Sequence, residues 1–126
     1  MFDGFPRNRR LSHRAPIAMA VRKTEGSRIV LCQASDISAG GIFLASVFDE
    51  LHPALREARC LLEFTLPGSR VPISARGRVI RQVANGRFHL TAVRFAVIAP
   101  SHRRLIQRYV RSPAAAPVIQ PIFLRG

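Results

Sequence analysis

Hydrophobic and polar residues alternate over much of this chain, and a two-residue period predicts strands. The clearest run is 59–66 (RCLLEFTL): Cys60, Leu62, Phe64 and Leu66 share one face, with Arg59, Glu63 and Thr65 on the other. Residues 70–81 alternate again, placing Val71, Ile73, Ala75 and Val79 one way and Ser74, Arg76 and Arg78 opposite. Residues 87–96 (RFHLTAVRFA) form a return strand, and the slip in alternation at Ala92-Val93 suggests a bulge there. Three shorter apolar runs come earlier: 17–23 (IAMAVRK), 28–35 (RIVLCQAS), and IFLAS following Gly40-Gly41. Turn signals separate the runs at Glu25-Gly26-Ser27, Pro67-Gly68 and Asn85-Gly86, the last a two-residue hairpin signal that needs positive φ. Residues 48–58 fit a loop or one helical turn.

Near the end the period changes to that of a helix. Leu105, Ile106, Tyr109 and Val110 fall on one face of residues 102–111, while Arg103, Arg104, Gln107, Arg108 and Arg111 lie away from it. Ser101 is the expected N-cap and Pro113 the expected stop. Six short strands with tight turns, then one helix, predict an all-β protein. Its form is a six-stranded antiparallel barrel with the helix laid against it. Residues 1–15 are basic, hold Gly4 and Pro6, and show no hydrophobic period, so they read as a flexible arm. Residues 16–112 make the barrel and helix. Residues 113–126, with Pro113, Pro117 and Pro121, read as an irregular tail.

Composition narrows the function. The chain has 126 residues, 48% of them apolar, which suits one domain with a real core. Its two cysteines, Cys32 and Cys60, match neither a disulfide framework nor a zinc site, and read as buried thiols. No signal peptide and no apolar run long enough to span a membrane is visible, so a cytoplasmic protein is expected. Catalysis is disfavoured: the seven acidic residues and the scattered His13, His52, His89 and His102 form no metal spacing, and no phosphate loop occurs. Neither metal nor cofactor is expected. The net charge of +13 is uneven: +5 over residues 1–28, +3 over 29–100 and +5 over 101–126. Such a surface attracts anions. Nineteen of the twenty basic residues are Arg, a bias that codon usage also produces, so placement matters more than the total.

Two placements stand out. Arg10-Leu-Ser-His-Arg14, preceded by Arg9, puts an arginine pair on the arm. Guanidinium groups fit phosphates bidentately, stack on flat rings and bond the O6/N7 edge of guanine. By charge alone the segment reads first as a solvated basic arm. The second is Asp36-Ile37-Ser38-Ala39-Gly40-Gly41. In extended chain Ile37 points into the core while Asp36 and Ser38 face the other way, toward a ligand. A carboxylate accepts from a guanine N1–H and N2–H₂ edge, and a glycine at Gly40 or Gly41 permits positive φ and close approach. Alone, this is also an ordinary turn composition.

Together the two patterns resemble the PilZ domain family: Arg-x-x-x-Arg at Arg10 and Arg14, then Asp-x-Ser-x-x-Gly at Asp36, Ser38 and Gly41. GGIFL after the turn and VRFAVIAPSHRRLIQRYV near the end also look like PilZ, so the resemblance covers roughly residues 9–111. It implies a six-stranded antiparallel barrel with a C-terminal helix, acting as a receptor for the bacterial second messenger cyclic di-GMP. It implies that Arg10 and Arg14 contact guanines and phosphates, that Asp36 and Ser38 hold a guanine edge, and that Gly41 keeps the surface open. By the same likeness Arg9 bears on whether one ligand or two stacked ligands bind. The message is then expected to pass to a protein partner. Two other readings stand beside it. A nucleic-acid binder would use the two basic ends, but the chain lacks interleaved aromatics, with no Trp and one Tyr. A PilZ-fold adaptor would act through proteins alone.

Overall fold

The computed structural model describes residues 14–47 and 59–112. Within them six strands are followed by one helix: β1 (Arg14–Glu25), β2 (Arg28–Ser38), β3 (Gly41–Val47), β4 (Arg59–Thr65), β5 (Pro72–Asn85), β6 (Phe88–Ile98) and α1 (Pro100–Arg111). All neighbours are antiparallel, and the sheet closes as a barrel in the order β1-β2-β3-β6-β5-β4. The closing seam is short: Arg22, Lys23 and Thr24 of β1 face Glu63, Leu62 and Leu61 of β4.

The alternating positions fill the barrel. Val21, Ile37, Ile42, Leu44, Leu62, Ile73 and Val93 are fully buried, and Phe64 stacks on Phe95 with ring centroids 6.3 Å apart. Gly77 belongs to the same packing. A Cβ there would stand 2.4 Å from Val93 Cγ1, so the strand needs a residue without one. Helix α1 lays its apolar face on this core, with Ile106 buried and Leu105, Tyr109 and Val110 packed beside it, as the helical period predicts.

Bulges decide which residues face out. In β2 the inward positions Cys32 and Ala34 would put Asp36 inside. Register shifts between Ala34 and Asp36, so Ile37 takes the inward place and Asp36 turns to the wall. The slip at Ala92-Val93 also corresponds to a shift. The extra residue is Ile80 of β5, between Val79, which faces Val93, and Arg81, which faces Ala92.

Four local expectations are corrected. The helix is capped at Ala99, not Ser101, without a side-chain bond. Pro100 takes the first helical position, where its fixed φ suits the helix and its missing N–H leaves one orphan fewer. The β5–β6 hairpin turns on Gly86-Arg87, one residue later than expected, with φ +63° at Gly86. Val71 is 46% exposed rather than inward, because its N–H donates to Ser69 Oγ in the Pro67-Gly68 turn and β5 starts after it. Strand β1 begins at Arg14, which places that arginine on the barrel itself rather than on a preceding arm.

Candidate functional site

The Asp-x-Ser-x-x-Gly segment spans the end of β2, a two-residue turn at Ala39-Gly40, and the start of β3. Arg14 starts β1 directly opposite Ser38, and Pro16 stands opposite Asp36. From that diagonal Arg14 reaches Asp36: Nε donates to Oδ1 at 3.1 Å and Nη2 to Oδ2 at 2.8 Å. This is a fork-on-fork pair, the geometry in which guanidinium binds carboxylate most strongly. Arg14 is 23% and Asp36 33% exposed, so the pair lies half-open on the wall. Two residues that the motif separates by 22 positions form one charged unit. An ionised carboxylate has about four lone-pair directions, so Asp36 keeps acceptor capacity toward solvent.

Ser38 behaves differently from the outward-facing hydroxyl that simple alternation gives. It is 2% exposed, and its Oγ accepts from the N–H groups of Gly40 (3.1 Å) and Gly41 (3.2 Å). The hydroxyl thus holds the turn closed, as short polar side chains do when they replace a backbone acceptor. The turn's carbonyls are held as well. Ala39 O accepts from Arg103 Nη1 at 2.8 Å and Gly40 O from the Phe95 N–H at 2.9 Å. The positive-φ glycines among the described residues are Gly26, Gly68 and Gly86, so Gly40 and Gly41 are not there for a left-handed backbone. Their N–H groups instead meet Ser38 Oγ, while Gly41 pairs with Arg94 across β6.

Two contributors were not legible from the motif. Arg103 sits at the edge of the helix's apolar stripe, three residues before Ile106, and that border position aims it at the barrel rim. Arg94 lies between inward Val93 and Phe95, so its exposure follows from alternation, but its place beside Gly41 needs the register. Arg94 also faces Arg78, which faces Arg59, so three arginines stand in one row across β6, β5 and β4. Directly opposed like charges are unfavourable in a sheet, and an anion beside the row relieves them. Arg9 and Arg10 lie outside the described residues.

No three His, Cys, Asp or Glu side chains stand together as metal ligands among the described residues, and no described helix is long and apolar enough to cross a membrane. Cys32 and Cys60 are free and buried, and burial pushes both thiols up, Cys60 to about 11. That is the reverse of a reactive cysteine.

A family model described as PilZ domain matches residues 8–112. Among solved structures, the PilZ domain with c-di-GMP of YcgR from Escherichia coli superposes with TM-score 0.62 at 17% identity, covering 82% of this chain and 89% of that one. The Bacillus subtilis inhibitor of motility, MotI/DgrA, gives TM-score 0.69 at 19% identity over 82% of this chain. The Borreliella burgdorferi PlzA protein in complex with c-di-GMP gives 0.57 at 12% identity over 78% of this chain. The chain spans about half the length of MotI and of PlzA, each being covered to 50%. A search of curated proteins by sequence finds no match. At these identities the structural likeness speaks for the fold.

Proposed function

This chain belongs to the PilZ family, and from that premise we propose that it is a cyclic di-GMP receptor that acts through a protein partner and not as an enzyme. The observation that carries the reading is the bidentate Arg14–Asp36 pair beside a turn whose glycine N–H groups and two carbonyls are already bonded. Such a site does not need to assemble its wall when ligand arrives, which lowers the cost of binding. Arg14 offers cationic N–H groups and a flat guanidinium face to a phosphate or a guanine. Asp36, oriented by Arg14, accepts from a guanine N1–H and N2–H₂ edge. Ser38 serves by fixing the turn, and Gly40 and Gly41 let the ligand lie close to the backbone.

Arg10, on the segment before β1, closes on the ligand from the far side. Arg9 extends the site to a second stacked ligand, and Arg94 supplies positive charge beside Gly41. Each charged contact contributes about 1.5–3 kcal/mol, so several together give a tight complex. In this reading the protein works in the cytoplasm.

Isothermal titration at physiological salt is the test. Cyclic di-GMP binds the wild type, GMP and other nucleotides do not compete, and Arg10→Ala weakens binding at least about tenfold, or ~1.4 kcal/mol. A stoichiometry of two ligands per chain supports the stacked form, and one per chain removes it. Absence of cyclic di-GMP binding, together with a steep salt-dependent affinity for DNA or RNA, would replace this reading with that of a nucleic-acid binder.

A further inference from the structure

Helix α1 carries Arg103, Arg104, Arg108 and Arg111 and no acidic residue. Arg103 is engaged with Ala39 of the turn. The other three are exposed, and their spacing of four and three residues puts them on one stripe opposite the face that buries Ile106. At 1.5 Å per residue the stripe is about 10 Å long. Arg104, Gln107, Arg108, Arg111 and Ser112 line one continuous surface groove. None of the three arginines has an ion pair among the described residues, although like charges at these spacings repel along a helix. Interaction with the helix dipole accounts for cations in the last turn, Arg108 and Arg111. It does not account for Arg104, which lies in the amino-terminal half.

We propose that this stripe of α1 is a docking surface for an acidic segment of a partner protein, read by Arg104, Arg108 and Arg111. The chemistry favours carboxylates, because guanidinium forks match them bidentately and tolerate a dry interface better than ammonium groups do. The stripe suits neither a membrane nor a nucleobase. No large apolar side chain of α1 is exposed, so nothing is available to enter a bilayer. Its one aromatic, Tyr109, is partly buried against the core and lies off the arginine stripe, so the stripe itself carries no ring for base stacking. An acidic segment with side chains about one helical turn apart complements the stripe. The Arg103–Ala39 bond and the His102 Nδ1–Ser74 contact (3.5 Å) tie α1 to the barrel, so the stripe is presented at a set position. The proposal stands apart from the ligand reading, because none of the three arginines belongs to the Arg14–Asp36 site.

The probe is a labelled helical peptide with glutamates at the i, i+4 and i+7 positions, and a glutamine version of it as control. At physiological salt the wild type binds the glutamate peptide and not the glutamine one, and amide shifts concentrate in α1. The triple variant Arg104→Gln/Arg108→Gln/Arg111→Gln weakens binding at least about tenfold. Its melting temperature and its behaviour in a cyclic di-GMP titration stay as in the wild type. A control with the same loss of charge, Arg22→Gln/Arg70→Gln/Arg87→Gln, at exposed positions away from α1, leaves peptide binding within about twofold. The proposal is overturned if the wild type does not bind the peptide. Equal weakening by both triple variants overturns it too, because bulk charge is then responsible. So does tighter α1-dependent binding of duplex DNA or phosphatidylglycerol vesicles than of the peptide. Should the α1 triple variant lose stability, the charge reversal Arg108→Glu alone reads the same contact.

Discussion

Strand β1 carries an ion pair at each end, and the two pairs are built for different ends. At its start Arg14 grips Asp36 on the outer wall, about a quarter and a third exposed. At its finish Lys23 Nζ meets Glu25 Oε2 at 2.9 Å inside the barrel, the side chains 4% and 2% exposed. Lys23 and Glu25 sit two apart on the inward face, among the buried Cys32 and Cys60. Sealed charges of this kind repay little of their desolvation, yet each is indispensable to the other. The outer pair gives up less water and keeps polar capacity toward solvent. Charge complementarity alone therefore does not mark a binding site. Exposure separates a pair that holds the fold from a pair that can meet a ligand.

The largest effect belongs to the sealed pair. Lys23→Met strands the Glu25 carboxylate in the barrel and is expected to cost about 3–5 kcal/mol in urea unfolding. The double variant Lys23→Met/Glu25→Leu recovers most of that loss, since an apolar pair of similar volume has no charge to bury. Protein that remains folded binds cyclic di-GMP as before. A cost below about 1 kcal/mol for the single variant is the value of an exposed pair, and would erase the contrast.

The outer pair is expected to show the opposite division. Arg14→Ala removes charge-assisted contacts worth about 1.5–3 kcal/mol of binding, roughly ten- to hundredfold in Kd. The same change lowers stability by no more than about 1 kcal/mol, as half-open pairs do. Asp36→Ala acts in the same direction, and a double-mutant cycle shows the two changes to be non-additive because they share one unit. Near-native affinity in Arg14→Ala would sink the site.

Ser38 tests whether the turn is a support or a contact. Ser38→Ala leaves the Gly40 and Gly41 N–H groups without their acceptor, at an expected cost of about 1–2 kcal/mol in stability. Affinity falls with it, through a looser turn. A variant of unchanged stability but lost binding would instead make Ser38 a direct ligand contact.

Much of this was readable in advance, for identifiable reasons. Alternation in 59–66 gave the inward row of Cys60, Leu62, Phe64 and Leu66 because β4 has no bulge against β5. The helical stripe at Leu105, Ile106, Tyr109 and Val110 has no competing period. The motif residues Arg14, Asp36, Ser38 and Gly41 do come together, but their division of labour was hidden. That Arg14 pairs with Asp36 depends on a register and a bulge, which alternation cannot express. That Ser38 turns inward depends on two glycine N–H groups seeking an acceptor. Lys23 closes the apolar run 17–23 and Glu25 opens a turn signal, so the pattern separates them. Only the closure of the barrel at Lys23 and Leu62 encloses them.

The effect that is absent at neutral pH again sits at the sealed end, and it has a sign. Burial raises both thiols above their ordinary value of 9.0, Cys60 to about 11, and for each the Lys23 charge opposes the rise while Glu25 adds to it. In the unfolded chain the thiols ionise near 9, whereas in the folded barrel Cys60 keeps its proton until about 11. The unfolded state therefore sheds protons first. The stabilisation is fully present below pH 9 and disappears as pH rises toward 11. Urea midpoints measured from pH 8 upward should fall more steeply in the wild type than in Cys60→Ala. Alkylation of the native thiols at pH 8 should also be slow, since thiolate is scarce and access is closed. Parallel pH profiles for wild type and Cys60→Ala would show that this end of the barrel admits water. The distinction between a sealed pair and an open one would then lose its physical basis.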